Sequence, residues 1–316
     1  MKDDLDWSEA EKGYVLSAFY WGYTLGQIPA SRIAQSYGAK WLFGLSVAIP
    51  SLLTLLVPLA CRHSLGMALF IRVLIGFFES ATFPAVFYFF PIWVPLAEKT
   101  FMIPFIVSGM YVGEIIGFSL SGALAGSSIY IGGDFYGGWP SIFYVFGLAG
   151  VLWFPLWIYA AHESPAVHPY ITQDEVLLIN RGIILVNIAI KTTRTPWMQF
   201  LTHPVARSLL LCSFCYGWIG FTLLSEMPSY LTDILGFDLG SAGILCVFPY
   251  AALFVSTLSF ARFFDFLQRD HDWSVDAVRK TAMFIAFIGS ASVLLIAGFM
   301  TDKYAAYTFM IFTQVL

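Results

Sequence analysis

The chain has 316 residues, of which 59% are hydrophobic and only 11% charged, and its formal net charge is −4 at pH 7. Because soluble domains carry about 25% charged residues, this composition excludes an ordinary soluble domain and predicts an all-α, polytopic membrane protein. The sequence has no basic patch interleaved with aromatic residues, so it gives no indication of a nucleic-acid partner.

The chain begins with a polar, acidic stretch, Met1–Lys12, that lacks the apolar core of a targeting segment. Ser8 followed by Glu11 has the spacing of a capping box, which predicts the start of the first helix. A last apolar segment begins near Tyr304 and is only about thirteen residues long, whereas a spanning helix needs about twenty, so we expect an incomplete chain. The eight apolar segments long enough to span are 13–34, 41–60, 66–93, 101–124, 139–161, 205–225, 242–264 and 281–300.

The third predicted span carries two opposite charges, in Arg72-Val-Leu-Ile-Gly-Phe-Phe-Glu79. Seven residues make almost two helical turns, so both side chains share one face, roughly 10 Å apart and too far for a direct salt bridge. A charge at this depth costs about 3 kcal/mol or more unless it faces protein or a wet cavity. One interpretation is a structural pair that locks helices together. We favour the other, a transport pathway in which Arg72 binds an anion and Glu79 carries a proton.

Proline and small residues predict how the spans bend and pack. Prolines at 84, 91 and 95 predict a bend or an end of the third span just beyond Glu79. Small residues at four-residue spacing predict close helix packing in the first and fourth spans. These residues are Gly22, Gly26, Ala30, Gly109, Gly113, Gly117 and Ser121.

The long polar interval 162–204 separates an N-terminal bundle, 1–161, from a partial C-terminal bundle, 205–316. Thr172 and Glu175 form a second capping-box pattern, which predicts a helix over 176–190. We interpret this helix as interfacial, because it is short, polar residues interrupt it, and a span here would reverse every later loop.

Lysine and arginine set the predicted orientation, with the loop between the first two spans in the cytoplasm and the N-terminus outside. The predicted cytoplasmic basic residues are Arg32, Lys40, Lys99, Arg181, Lys191, Arg194, Arg207, Arg262, Arg269, Arg279 and Lys280. The cytoplasmic turns Ser31–Lys40 and Ala261–Lys280 also share a weak repeat, which is typical of transporters built from two related halves.

Several motifs resemble the major facilitator superfamily, and within it the anion–cation symporters that include sialin, the vesicular glutamate transporters and the type I sodium–phosphate transporters. The matching stretches run in family order along nearly the whole chain. They are Ser17–Pro29, Gly38–Gly44, Arg72–Pro84, Trp93–Lys99, Trp139–Gly147, Glu163–Pro169, Thr195–Trp197, Phe214–Trp218 and Pro228–Leu231.

The resemblance implies a helix bundle of two repeat-related halves, of which this chain carries family helices two to nine and part of ten. It implies secondary transport of organic or inorganic anions, with H⁺ or Na⁺ as the coupling cation, in the plasma membrane or an endolysosomal or vesicular membrane. Arg72 would contact the anion and Glu79 would couple protons. Tyr23 and Tyr216 are further candidate substrate-binding residues. The candidate cytoplasmic gating residues are Lys40, Asp265 and Arg279.

The chain departs from the family pattern at several positions. Leu16 and Tyr216 stand where the vesicular glutamate transporters have a His and an Arg, which disfavours glutamate and favours a sialin-like or phosphate-like relative. Gln35 and Ser36 replace an acid and a base in the first gating turn. Glu114 lies outside the pattern and is either an additional polar lining residue or a second proton-coupling group.

Two other functional classes compete with a transporter. One is a non-transporting remnant or truncated gene product, suggested by the helices that the resemblance expects at both ends. The other is an intramembrane enzyme, which would need a nucleophile–base pair or metal ligands at membrane depth. The five histidines all fall in loops or at helix ends, so the sequence predicts neither an enzyme nor a cofactor.

Overall fold

The computed structural model of the protein describes residues 7–95, 98–126, 130–131, 134–135, 138–179 and 197–315. These residues are almost entirely helical, as predicted; a small antiparallel hairpin of β1 (Tyr130–Ile131) and β2 (Asp134–Phe135) is the exception. The helices of the first part are α1 (Glu9–Tyr37), α2 (Lys40–His63), α3 (Leu65–Glu79), α4 (Thr82–Trp93), α5 (Lys99–Ala125), α6 (Trp139–Ala160), a 3-10 turn (Pro165–Val167) and α7 (173–179).

The second part is also a succession of helices, two of them extended by π-helical turns at Tyr230–Ile234 and Ile285–Gly289. The α-helices are α8 (Trp197–Thr202), α9 (Pro204–Ser229), α10 (Leu239–Leu245), α11 (Val247–Asp270), α12 (Val275–Phe284), α13 (Ser290–Gly298) and α14 (Lys303–Val315).

Seven of the predicted spans are helices long and apolar enough to cross a membrane, counted over the residues that the structure describes. The first predicted span also forms a helix, α1, which is 29 residues long but carries more polar and small residues, such as Thr24, Gly26 and Gln27. At its start, the predicted capping box is confirmed, because the Ser8 amide donates to Glu11 Oε2 at 2.8 Å and the Glu11 amide to Ser8 Oγ at 3.3 Å.

The third span is broken just beyond Glu79, which confirms the prediction from its prolines. Helix α3 ends at Glu79, Ser80 and Ala81 form a turn, and α4 begins at Thr82. Pro84 has no amide hydrogen to donate to the Ser80 carbonyl, and its ring crowds that carbonyl, so the regular helix stops at this point. The buried Ser80 hydroxyl instead donates to the Phe77 carbonyl at 2.7 Å.

Helices α1 and α3 cross at close backbone distance through glycine. A Cβ added at Gly22 would overlap the backbone of Val73, and one at Gly76 would overlap the backbone of Phe19. The predicted small-residue packing is therefore confirmed for α1. This contact fixes the register of α1 on α3, and so the positions of the side chains that follow Gly22 and Gly76.

The same prediction is wrong for α5. A Cβ added at Gly109, Gly113 or Gly117 would meet nothing within 4 Å among the residues described. The close approach of α5 lies further along, where a Cβ on Gly122 would be 3.5 Å from the Cα of Gly243 in α10. Spacing alone identifies a face of small residues but not the partner that the face contacts.

By their contacts, the described residues form two units, one within Met1–Lys99 and Leu124–Val186 and the other within Thr100–Ala123 and Asn187–Leu316. Most of helix α5 belongs to the second unit. The predicted division into bundles at 161 and 205 stays a prediction. In the second unit, the Tyr307 hydroxyl donates to the Leu245 carbonyl at 2.7 Å and Met227 and Leu231 are fully buried.

Most of the predicted interfacial helix, 176–190, lies outside the described residues. Its predicted cap is present, because the Glu175 amide donates to Thr172 Oγ1 at 3.4 Å, and α7 follows as far as residue 179. The interfacial placement stays a prediction.

We predict that single cysteines at Arg62 and Lys280 label from opposite sides of the membrane, in a background in which the four native cysteines are replaced. Both side chains are exposed, one at the end of α2 and the other in α12. An interfacial 176–190 leaves Arg62 outside and Lys280 in the cytoplasm, whereas a spanning 176–190 places both outside. Labelling of intact and opened cells with a membrane-impermeant maleimide distinguishes the interfacial from the spanning placement of residues 176–190. Labelling from the same side would overturn the orientation.

Candidate functional site

Arg72 lies in the middle of α3 with its charge only partly compensated. Its Nε is buried and has no hydrogen-bond partner among the described residues, and its Cζ lies 5.6 Å from the centroid of the Phe143 ring in α6. A cation–π contact of this kind stabilises a charge by about 1–2 kcal/mol, while a buried donor without a partner costs about 1–3 kcal/mol. The guanidinium therefore retains a free donor inside the first unit.

Glu79 lies on the same face of α3, almost two turns from Arg72. It sits at the midpoint of the 29-residue span Leu65–Trp93, and its side chain keeps exposed surface in the structure. A carboxyl at this depth is tolerated when it faces protein or water rather than lipid. An accessible carboxyl in the middle of a span can exchange protons with water that reaches it.

Tyr23 approaches this pair from α1 because of the glycine crossing. The backbone of Tyr23 lies against Gly76, and its side chain interacts electrostatically with Glu79 and hydrogen bonds to Gln27. Its ring stacks on Phe19 with centroids 5.6 Å apart. The structure thus brings together three of the predicted site residues, Arg72, Glu79 and Tyr23, in the first unit.

The other two predicted membrane-site residues, Glu114 and Tyr216, belong to a polar cluster in the second unit. Tyr111, one helical turn before Glu114 in α5, shares hydrogen bonds with Tyr216 of α9 and Thr257 of α11 and interacts electrostatically with Glu114. Glu114 Oε2 is buried and has no hydrogen-bond partner in the part of the chain that is described. We call Tyr111, Glu114, Tyr216 and Thr257 the α5 polar cluster.

The first predicted gating turn is held by a residue that the sequence did not single out as functional. The amides of Ala39 and Lys40, at the start of α2, donate to Glu163 Oε1 at 2.6 Å and Oε2 at 2.9 Å. The Trp157 indole donates to the Lys40 carbonyl at 2.9 Å. A carboxylate suits this position because the first amides of a helix lack intrahelical partners and the helix dipole favours negative charge there.

Gly38 is required by this arrangement. Its φ of 87° lies in the left-handed region, and a Cβ would overlap the Glu163 carboxylate. Glu163 lies in a motif that matched the family pattern, but 123 residues separate it from Lys40, so no local signal in the sequence connects them.

The second predicted gating turn joins α11 to α12. Asp265 is half-buried near the end of α11, and Arg279 is exposed in α12. The gating roles of Lys40, Asp265 and Arg279 stay predictions, as do the substrate and coupling roles of the membrane residues.

A model of the family described as Major Facilitator Superfamily matches residues 1–316. Similar curated proteins include vesicular glutamate transporter 1 of Bos taurus, 30% identical over 98% of this chain and 54% of its own length. Vesicular glutamate transporter 3 of Danio rerio is 31% identical over 97% of this chain and 51% of its own length. The transporter slc-17.2 of Caenorhabditis elegans is 34% identical over 94% of this chain and 59% of its own length.

The chain therefore spans about half the length of the curated relatives it matches. Among solved structures, a bacterial homologue of the human lysosomal transporter Spinster, inward-facing and occupied, superposes with a TM-score of 0.67. That alignment covers 98% of this chain and 64% of the other at 17% identity, which shows a shared fold.

We predict that Glu163→Ala exposes the start of α2. The variant removes both acceptors of the Ala39 and Lys40 amides, and loss of a helix cap destabilises by about 0.5–2 kcal/mol. Hydrogen exchange of these two amides, measured by mass spectrometry on the purified full-length protein, should become about 2- to 30-fold faster. Glu175→Ala is the matched control, because its exposed carboxylate lies in α7. Unchanged exchange at residues 39 and 40 would contradict the capping role.

Proposed function

Because this chain belongs to the major facilitator superfamily and is a multi-pass integral membrane protein, we propose that it forms part of a secondary active transporter that moves anions across a membrane. The observation that carries the proposal is the buried, unpartnered donor of Arg72 on the same helix face as the accessible carboxyl of Glu79. We further propose a coupling cation, H⁺ or Na⁺, with Glu79 as the principal proton-coupling group.

Arg72 supplies the anion-binding charge in this proposal. A guanidinium is permanently charged and presents a planar set of donors that matches a carboxylate or a phosphate, often with two parallel hydrogen bonds. Because its Nε has no acceptor among the described residues, an incoming anion gains that hydrogen bond without breaking another. The Phe143 ring lies 5.6 Å from the guanidinium carbon and provides no hydrogen-bond acceptor in competition with the ligand.

Glu79 supplies the proton coupling. A carboxyl can take up a proton from the acidic side of a membrane and release it on the other side, which a permanently charged arginine cannot do. Tyr23 lies close enough to interact with Glu79, and its hydroxyl is suited to binding a polar group of the substrate. The aromatic stack on Phe19 keeps the Tyr23 ring in place.

The chemical class of the anion is constrained by the relatives and by the departures from their pattern. Several similar proteins are named vesicular glutamate transporters, which supports an organic anion as substrate and a vesicular membrane as one location. Leu16 and Tyr216 replace the basic residues of those transporters, so we propose a sialin-like carboxylate or a phosphate rather than glutamate. Tyr216 would then contribute a hydroxyl and a ring instead of a charge.

The alternative to transport is that Arg72 and Glu79 only hold helices together. A purely structural pair would make its bonds within the protein, whereas Arg72 keeps a donor without a partner and Glu79 stays accessible. Measured uptake also distinguishes a transporter from a non-transporting remnant.

We predict that Glu79→Gln abolishes acceleration of anion uptake by a pH gradient but preserves anion exchange, because glutamine cannot carry the proton. The measurement uses the full-length product of the gene that encodes residues 1–316, purified and placed in liposomes, with labelled phosphate and labelled carboxylates as substrates. Glu226→Gln, an exposed carboxyl in α9, is the control with the same change of charge. Gradient-driven uptake that survives Glu79→Gln would contradict the coupling role and make Glu114 the candidate.

We predict that Arg72→Lys weakens anion binding about tenfold or more, because lysine keeps the charge but loses the planar pair of donors, and a hydrogen bond to a charged group contributes about 1.5–3 kcal/mol. The dissociation constant is measured by competition in the same preparation. Arg62→Lys, at the exposed end of α2, is the matched control. Equal affinities of wild type and Arg72→Lys, both normally folded, would support the structural pair instead.

A further inference from the structure

The α5 polar cluster has features that the proposed roles of Arg72 and Glu79 leave unexplained. We propose that Glu114, with the hydroxyl groups of Tyr111, Tyr216 and Thr257, forms a binding site for a monovalent cation, supplied either as dissolved Na⁺ or as the ammonium group of a substrate. The inference deepens the proposed function, since it assigns a location to a cation in a transporter of anions.

The first argument concerns uncompensated charge. Glu114 lies near the middle of α5, which forms the span Phe101–Ala125, and its buried Oε2 has no hydrogen-bond partner within the described ranges. An ionised carboxylate removed from water is costly unless a cation or hydrogen-bond donors compensate it. Removal from water disfavours the charge on this carboxyl, and no hydrogen bond from the described residues to Oε2 offsets that cost.

The charged groups on the surrounding helices confirm this isolation. On α11, Arg262 lies over the Phe101 ring at 5.3 Å, and thirteen residues of α5, roughly 20 Å, separate Phe101 from Glu114. On α9, Arg207 lies nine residues, roughly 13 Å, before Tyr216. Glu226 is exposed and lies after Tyr216, near the other end of that helix. None of these groups can neutralise Glu114.

The second argument concerns the hydroxyl groups. Tyr111 links to Tyr216 and Thr257 by hydrogen bonds, so hydroxyl groups from α5, α9 and α11 meet at Tyr111, which lies one helical turn from Glu114 on the same face of α5. Each hydroxyl oxygen has two lone pairs and can accept from or coordinate another group. A proton needs only the carboxylate, whereas hard cations prefer several carboxylate and hydroxyl oxygens together.

The two sources of the cation make different demands on the tyrosines. Na⁺ would bind the hydroxyl oxygens, so removing a hydroxyl weakens it. An ammonium group would also lie against the faces of the aromatic rings, which tyrosine and phenylalanine both provide. The ring of Tyr216 is 70% exposed and is therefore accessible to such a group. Glu114 is required in both cases.

The test is equilibrium binding of ²²Na⁺ and of labelled methylammonium to the purified full-length protein at pH 8.5, where protons compete little. We expect saturable binding of one of the two, reduced at least about tenfold in Glu114→Gln and unchanged in Glu226→Gln. For Na⁺, Tyr111→Phe and Tyr216→Phe should each weaken binding several-fold. For methylammonium, Tyr216→Phe should retain binding and Tyr216→Leu should lose it.

Several results would overturn the site. The first is that folded wild type binds neither cation. The second is that wild type and Glu114→Gln bind the cation equally. The third is that Glu114 exchanges protons in a titration of the unliganded protein but binds no cation. If Glu114→Gln fails to fold, as judged by gel filtration and Tm, Tyr111→Phe tests the Na⁺ site with a nearly identical shape and Tyr216→Leu tests the ammonium site. Anion uptake is measured separately. If only the cation site is wrong, the wild type still takes up the anion. If the proposed transport function is wrong, the wild type takes up no anion.

Discussion

The rest of the structure depends on the requirement that a charge in the middle of a membrane span be compensated. Arg72 and Glu79 share one face of α3 and attract each other across almost two turns, and the Phe143 ring lies near the guanidinium. Tyr23 reaches Glu79 because glycine at positions 22 and 76 lets two helix backbones touch. The close packing of α1 on α3 is therefore a condition for the site as well as for the fold.

The sequence predicted those features that local chemistry determines. The apolar segments, the capping box at Ser8 and Glu11 and the break beyond Glu79 each follow from residues that are near one another in the chain, and the structure confirms them. Hydropathy, side-chain acceptors and the missing amide hydrogen of Pro84 act over a few residues, so a single sequence is enough to recognise them.

Features that depend on distant contacts were not predictable in the same way. Glu163 caps α2 across more than a hundred residues, and nothing near Lys40 in the sequence indicates which acceptor its amide finds. The stripe at Gly109, Gly113 and Gly117 has the spacing of a packing face but contacts no described residue at Cβ range. Glu114 was recognised as unusual, but the links of its neighbour Tyr111 to Tyr216 and Thr257 became apparent only when three helices were placed together.

A transport pathway requires that the charged face of α3 meet water rather than another helix. The most direct measurement is the reaction of cysteines at positions 72, 79 and 70 with a hydrophilic methanethiosulfonate reagent, in membranes and in a background without other cysteines. Thiols react only where water ionises them. We expect reaction at 72 and 79, slowed by the transported anion, and none at 70, because Phe70 lies on the opposite side of α3 and faces lipid in a span. Unreactive cysteines at both 72 and 79 would contradict it.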